Sequence, residues 1–142
     1  MKTAAFMITV GYTLLLLYWM FIGFGRTHLP YPGYQYNLIP FHTIKMYMLH
    51  ADHFNAKNWA INVVGNIAVF MPFGLAVPYL RKMSGIRFIL LFVVILLMLE
   101  CLQLISQRGS FDVDDLMLNT VGALLGYGMF RRWFAGTCAK AD

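Results

Sequence analysis

Charge is scarce in this chain: Asp, Glu, Lys and Arg make up 12% of its 142 residues, and only six residues are acidic. So little charge cannot cover the surface of an ordinary soluble domain. The net charge of +5 sits mostly at helix ends and forms no basic stripe, which excludes a nucleic-acid partner and reads as membrane topology. Cysteine is nearly absent. Cys101 and Cys138 fall in a presumed helix interior and in the terminal tail, so no disulfide is expected. Without paired cysteines or an HxxxH spacing, His42, His50 and His53 do not point to a metal site. A small-residue cleavage site is missing after the first apolar run, which makes that run a retained anchor rather than a signal peptide. No inverted repeat of the transporter kind is visible. A second domain has no room beside a membrane bundle of this length.

Apolar residues fill the place of charge. They make up 60% of the chain, aromatics 16%, and the mean hydropathy is +0.64. The pattern predicts an all-α polytopic membrane protein, one domain over residues 1–142. Its small bundle has four transmembrane helices at about 4–25, 59–80, 88–106 and 113–131, with an external loop at 26–58. Ala4 to Gly25 carries no charged residue and as a helix reaches about 33 Å, enough to cross a hydrocarbon core of about 30 Å. Pro30, Pro32 and Gly33 deny regular structure to the start of the loop. Phe41, Ile44, Met48 and Leu49 then recur at helical spacing and predict a short amphipathic helix on the membrane surface.

In the second span Pro72 removes a backbone donor and predicts a kink, while Gly65 and Gly74 allow a close neighbour. Gly122 and Gly126 do the same in the fourth. Arg81, Lys82 and Arg87 link the second and third spans, and Arg131, Arg132 and Lys140 follow the fourth, so both termini are expected in the cytoplasm. The external loop spreads Arg26, Lys45 and Lys57 thinly. Tyr18, Trp19, Tyr31, Tyr34, Trp59 and Trp133 read as interfacial anchors.

One stretch breaks the apolar rule. Residues 100–119 read ECLQLISQRGSFDVDDLMLN and hold four of the six acidic residues. The apolar run from Phe88 to Leu99 covers only about 18 Å as a helix, so the span continues through Glu100. A carboxylate is thereby placed inside the bilayer, at a cost on the order of 3 kcal/mol, with Gln103 one turn along the same face. In the predicted orientation Asn62 and Asn66 open the second span from outside, Glu100 and Gln103 close the third towards the outside, and Asn119 lies near the start of the fourth. A single polar cluster facing outward is the expectation.

Each of these residues also has a purely structural reading. Asp112 suits the N-cap of the fourth helix, with Asp114 and Asp115 in its first turn complementing the macrodipole, and Arg108 pairing with one of them. Asn62, Asn66 and Asn119 suit interhelical hydrogen bonds worth about 0.6 kcal/mol each. For Glu100 function outweighs a structural role, because intramembrane carboxylates are usually functional.

Four blocks follow one another in the chain: Asn37-Leu38-Ile39-Pro40-Phe41; Asn62-x-x-Gly65-Asn66-x-x-x-Phe70-x-Pro72-x-Gly74; Glu100-x-x-Gln103; and Arg108-x-x-x-Asp112-x-Asp114-Asp115-x-x-x-Asn119-x-x-Gly122. In order and spacing they resemble the successive blocks of the VanZ-like family, over roughly Asn37 to Tyr127. The first helix and the tail from Ala135 are similar only in character. The resemblance implies a small multi-pass protein of the bacterial cell membrane, of a kind that accompanies glycopeptide-resistance genes and lowers sensitivity to teicoplanin.

Two classes of function fit these residues. In the first, the protein binds or shields a membrane lipid, a lipid-linked cell-wall precursor or the lipoglycopeptide itself, without turnover. Asn62, Asn66, Gln103, Arg108, Asp112, Asp114, Asp115 and Asn119 would form that site. In the second, an enzyme modifies such a lipid with Glu100 as general acid or base. Asp112, Asp114 and Asp115 would then hold a divalent cation through hard oxygen ligands, and Arg108 a phosphate through its planar fork. The residues name no substrate and no cofactor.

Overall fold

A computed structural model describes residues 1–23, 33–49 and 60–133, which are mostly helical. In chain order they form α1 (Lys2–Phe21), β1 (Tyr36–Asn37), α2 (His42–Leu49), a π-helical turn (Ile61–Gly65) running into α3 (Asn66–Leu80), α4 (Gly85–Ile105), β2 (Phe111–Asp112) and α5 (Val113–Trp133). Arg26, Pro30, Tyr31, Pro32, His50, His53, Lys57, Trp59, Cys138 and Lys140 lie outside the described residues. By length and composition three helices can cross a membrane: Lys2–Phe21, Asn62–Leu80 and Gly85–Ile105. The helix expected as a fourth span is present as α5 but is not among those three: Asp114 and Asp115 in its first turn and Arg131 and Arg132 in its last make it less apolar.

Local chemistry sets the helix ends. The Ser84 hydroxyl accepts the Arg87 N–H at 3.4 Å, so α4 starts at Gly85, almost one turn before the apolar run. Its other end is a Schellman closure. Arg108 N donates to Gln103 O at 3.0 Å and Gln107 N to Leu104 O at 3.1 Å, with Gln107 in the left-handed region at φ 54°, the place glycine usually takes. α3 continues through both Pro72 and Pro78.

α3 and α5 run parallel and touch backbone to backbone. A Cβ on Gly122 would overlap the Ile67 carbonyl, one on Gly126 the Met71 carbonyl, and one on Gly74 the Ala123 carbonyl. The four-residue step is the same on both helices, which is what small-xxx-small packing requires. Gly65, expected to do the same, meets only Ala60 O at 3.8 Å; it closes the π turn instead. Behind this seam Phe88 stacks on Tyr127, with centroids 5.4 Å apart and rings 12° from parallel. Leu16, Phe70 and Leu96 form the small apolar core where α1, α3 and α4 meet. α1 is held to α3 by Tyr12, whose hydroxyl donates to Val69 O at 2.8 Å.

One feature departs from the expected all-α pattern. β1 and β2 pair in parallel, Tyr36 opposite Phe111 and Asn37 opposite Asp112, and Phe111 N donates to Gln35 O at 3.1 Å. Two residues are too few for any period to appear in sequence. The pairing nevertheless ties residues 33–49 to the start of α5.

Candidate functional site

α5 begins with three carboxylates: Asp112 and Asp114 face residues 37–44, and Asp115 faces α3. Asp112 is the N-cap: its Oδ1 accepts the Asp114 N–H at 2.8 Å, as an acidic cap should. The same oxygen accepts Asn37 Nδ2 at 3.1 Å, and Oδ2 accepts the Thr43 hydroxyl at 2.6 Å. Asp114 is fully buried and turns to α2, where Oδ1 accepts Phe41 N–H at 2.6 Å and Oδ2 accepts Ile44 N–H at 3.0 Å. These are donors of the first turn of α2, which has no partner for them within its own helix. Asp115 turns to α3, where its Oδ1 accepts Asn66 Nδ2 at 2.6 Å. Tyr47 of α2 lies in the field of the cluster: burial first, then the charges of Asp115 and Asp112, push its phenol above the ordinary value of 10.0.

This geometry corrects the expected cation site. Among the described residues no three His, Cys, Asp or Glu side chains stand together as a metal site. The oxygens of Asp112 and Asp114 are taken up by N–H and O–H donors of residues 37–44 and of the helix start, while Asp115 accepts from Asn66 of α3.

Gln103 and Arg108 go elsewhere, to the end of α1. Gln103, with 4% of its surface exposed, donates from Nε2 to Met20 O at 3.0 Å, and Arg108 donates from Nη1 to Phe21 O at 2.7 Å. Both acceptors are among the last four carbonyls of α1, which a helix cannot satisfy internally, and a cation there also complements the dipole. Arg108 therefore pairs with a helix end rather than with one of the Asp residues. Glu100 and Asn119 are each 3% exposed and so point into the bundle. Asn119 Oδ1 has no hydrogen-bond partner among the described residues, a condition that is rare for a buried acceptor. Asn62 sits half-buried in the π turn before α3, a local irregularity often found at functional sites.

Asn37 and Thr43 belong to the cluster but were not legible as site residues. Asn37 stands in the Asn37–Phe41 motif; its tie to Asp112 spans 75 residues, and no local pattern reports such a pairing. The arrangement can do two things: hold a loop rigidly over one end of the bundle, and keep polar groups in a low-dielectric interior where each hydrogen bond counts for more.

A family model described as VanZ/LLP1 matches residues 9–135. Protein VanZ of Enterococcus faecium is 31% identical over 97 residues, a match that covers 68% of this chain and 60% of that protein. No solved structure matches.

Proposed function

The chain belongs to the VanZ/LLP1 family, and from that premise we propose that it lowers sensitivity to teicoplanin-type glycopeptide antibiotics. It does so by binding or shielding a lipid or lipid-linked cell-wall precursor at a polar pocket facing outward. In this reading it is a multi-pass protein of the bacterial cell membrane, with four spans, both termini cytoplasmic and α2 lying on the outer surface. The inside-out distribution of side chains carries the reading. Glu100, Gln103, Asp114 and Asn119 are buried, while Ile86, Leu90, Met98 and Ile105 on α4 are more than half exposed, as lipid-facing residues would be. A buried acceptor such as Asn119 Oδ1 suits a ligand that brings its own donor.

The test compares teicoplanin and vancomycin susceptibility in otherwise identical cells with and without the protein. A protective effect on teicoplanin that exceeds any on vancomycin is expected; equal effects on both, or none, would detach the protein from lipid-anchored glycopeptides. Glu100→Gln keeps hydrogen bonding and removes proton transfer. The binding reading expects this variant to retain the effect, and its loss would favour turnover with Glu100 as acid or base.

A further inference from the structure

The apolar interior is not filled. Between α1, α3 and α4 lies a cavity of about 270 Å³, with Thr13, Leu16, Phe70, Phe92 and Leu96 among its walls. Its only hydroxyls are already engaged by the helix that carries them: Thr9 donates to Ala5 O at 2.7 Å and Thr13 to Thr9 O at 2.8 Å. Along α4 the cavity extends from Phe88 to Leu99, about 16 Å at 1.5 Å per residue. It is therefore a slot rather than a bubble. An apolar cavity of roughly 150 Å³ stays dry and accepts a benzene, and this one is larger and only partly enclosed. α1 packs on α3 but only loosely on α4, which leaves the α1–α4 seam as the way in. All three walls belong to the helices apolar and long enough to cross a membrane. What fills the slot then comes from hydrocarbon, because unfilled walls forfeit their dispersion contacts.

At one end of the slot the chemistry changes. Leu99 lines it, and Gln103 one turn further bridges to Met20 O; Leu17 lines it, and Phe21 O, about 6 Å further along α1, holds Arg108. The half-buried Arg108 spends one N–H there and makes no ion pair among the described residues. A guanidinium has five N–H donors, arranged in a fork that matches a phosphate. An apolar slot with a guanidinium about one turn beyond its end, in no ion pair with the described residues, is complementary to an amphiphile with an anionic head.

We infer that the slot holds one alkyl chain of an anionic membrane lipid, with the lipid's phosphate group paired to Arg108. This rests on the lipid-binding reading above and narrows it, by naming the charge of the head and the place of the chain. Selectivity resides in Arg108 and capacity in the slot. The two are separable by substitution.

The experiment titrates the full chain in detergent with phosphatidylglycerol or phosphatidylcholine of identical chains and counts bound lipid by native mass spectrometry. Wild type is expected to hold one phosphatidylglycerol at least tenfold more tightly than phosphatidylcholine. Arg108→Gln, which keeps an N–H for Phe21 O, should erase that preference while still binding lipid. Thr13→Trp, which fills the slot, should weaken both lipids at least tenfold. If Thr13→Trp does not fold, Thr9→Phe narrows the same slot and takes its place. Equal affinity of wild type for the two lipids, or full retention of phosphatidylglycerol by the slot-filling variant, overturns the inference. Antibiotic susceptibility of the same variants separates the two readings. Lipid retained with no protection by wild type sinks the antibiotic reading and leaves the slot standing. Protection that persists after the slot-filling variant has lost its lipid overturns the inference that the slot holds the relevant lipid, and leaves the antibiotic reading standing.

Discussion

The carboxylate of Asp114, wholly buried at the start of α5, accepts the backbone N–H of Phe41 at 2.6 Å across 73 residues of sequence. With Ile44 N–H on its other oxygen, it caps α2 from a different helix. Phe41 itself is in the left-handed region at φ 64°, a conformation that costs an L-residue roughly 1–2 kcal/mol. The hydrogen bond to the carboxylate helps to offset that strain.

Asp114→Asn places an amide NH2 against one of these two N–H groups. A loss of about 1.5–3 kcal/mol is expected, the range for hydrogen bonds to a charged group. Amide exchange over residues 41–49 should speed up while the interiors of α3 and α5 stay protected. Unchanged protection of α2 would mean that something other than this cap holds it.

Gly122→Ala drives a methyl into the Ile67 carbonyl and should cost about 1–3 kcal/mol, as overpacking does. Gly128→Ala is the control, since nothing lies within 4 Å of its Cβ. There the substitution should be neutral or stabilise by up to about 1 kcal/mol through helix propensity. Unfolding of both variants in the same detergent checks the pair; equal effects would contradict the tight α3–α5 seam.

Asn66→Ala and Asp115→Ala should be non-additive. Their 2.6 Å bond joins α3 to α5, and a double-mutant cycle is expected to return a coupling of about 0.5–2 kcal/mol. Additive losses would show that the two residues act separately.

Tyr47 links stability to alkaline pH. Burial, then Asp115 and Asp112, raise its folded-state pKa above 10.0, so the fold holds the phenol proton more firmly than the unfolded chain does. That contribution is complete below pH 10.0 and is lost as pH rises through the folded-state value. Tyr47→Phe should flatten the alkaline fall in melting temperature. A fall as steep as in wild type would assign it to other groups.

Gln107→Gly relieves a left-handed residue in the Schellman closure of α4 and should stabilise the protein by up to about 1 kcal/mol. Thermal unfolding reads this directly. Destabilisation would imply that the Gln107 side chain contributes something its backbone conformation conceals.

The apolar runs were legible because hydrophobic burial needs only composition and period. Residues 2–21, 62–80 and 85–105 are helices for that reason. Asp112 as a cap, and Gly122 and Gly126 as contact points, were legible too, because each role depends on residue type and near neighbours. The partner of each polar side chain was not. Nothing adjacent to Arg108 in sequence distinguishes an Asp partner from a carbonyl of α1, and nothing near Asp114 points to Phe41.

Composition and spacing alone thus determined a helical chain with lipid-compatible faces, a capped and acidic start to α5, and a glycine stripe ready for another helix. Tertiary structure decided that Asp112 and Asp114 turn to residues 37–44 while Asp115 turns to α3. It also decided that Gln103 and Arg108 close α1 and that α1 stands off from α4 around a slot. The reason is geometric: hydrophobic burial is non-directional and readable from a one-dimensional pattern, whereas a hydrogen bond is directional and goes to whichever group the packed helices bring within about 3 Å.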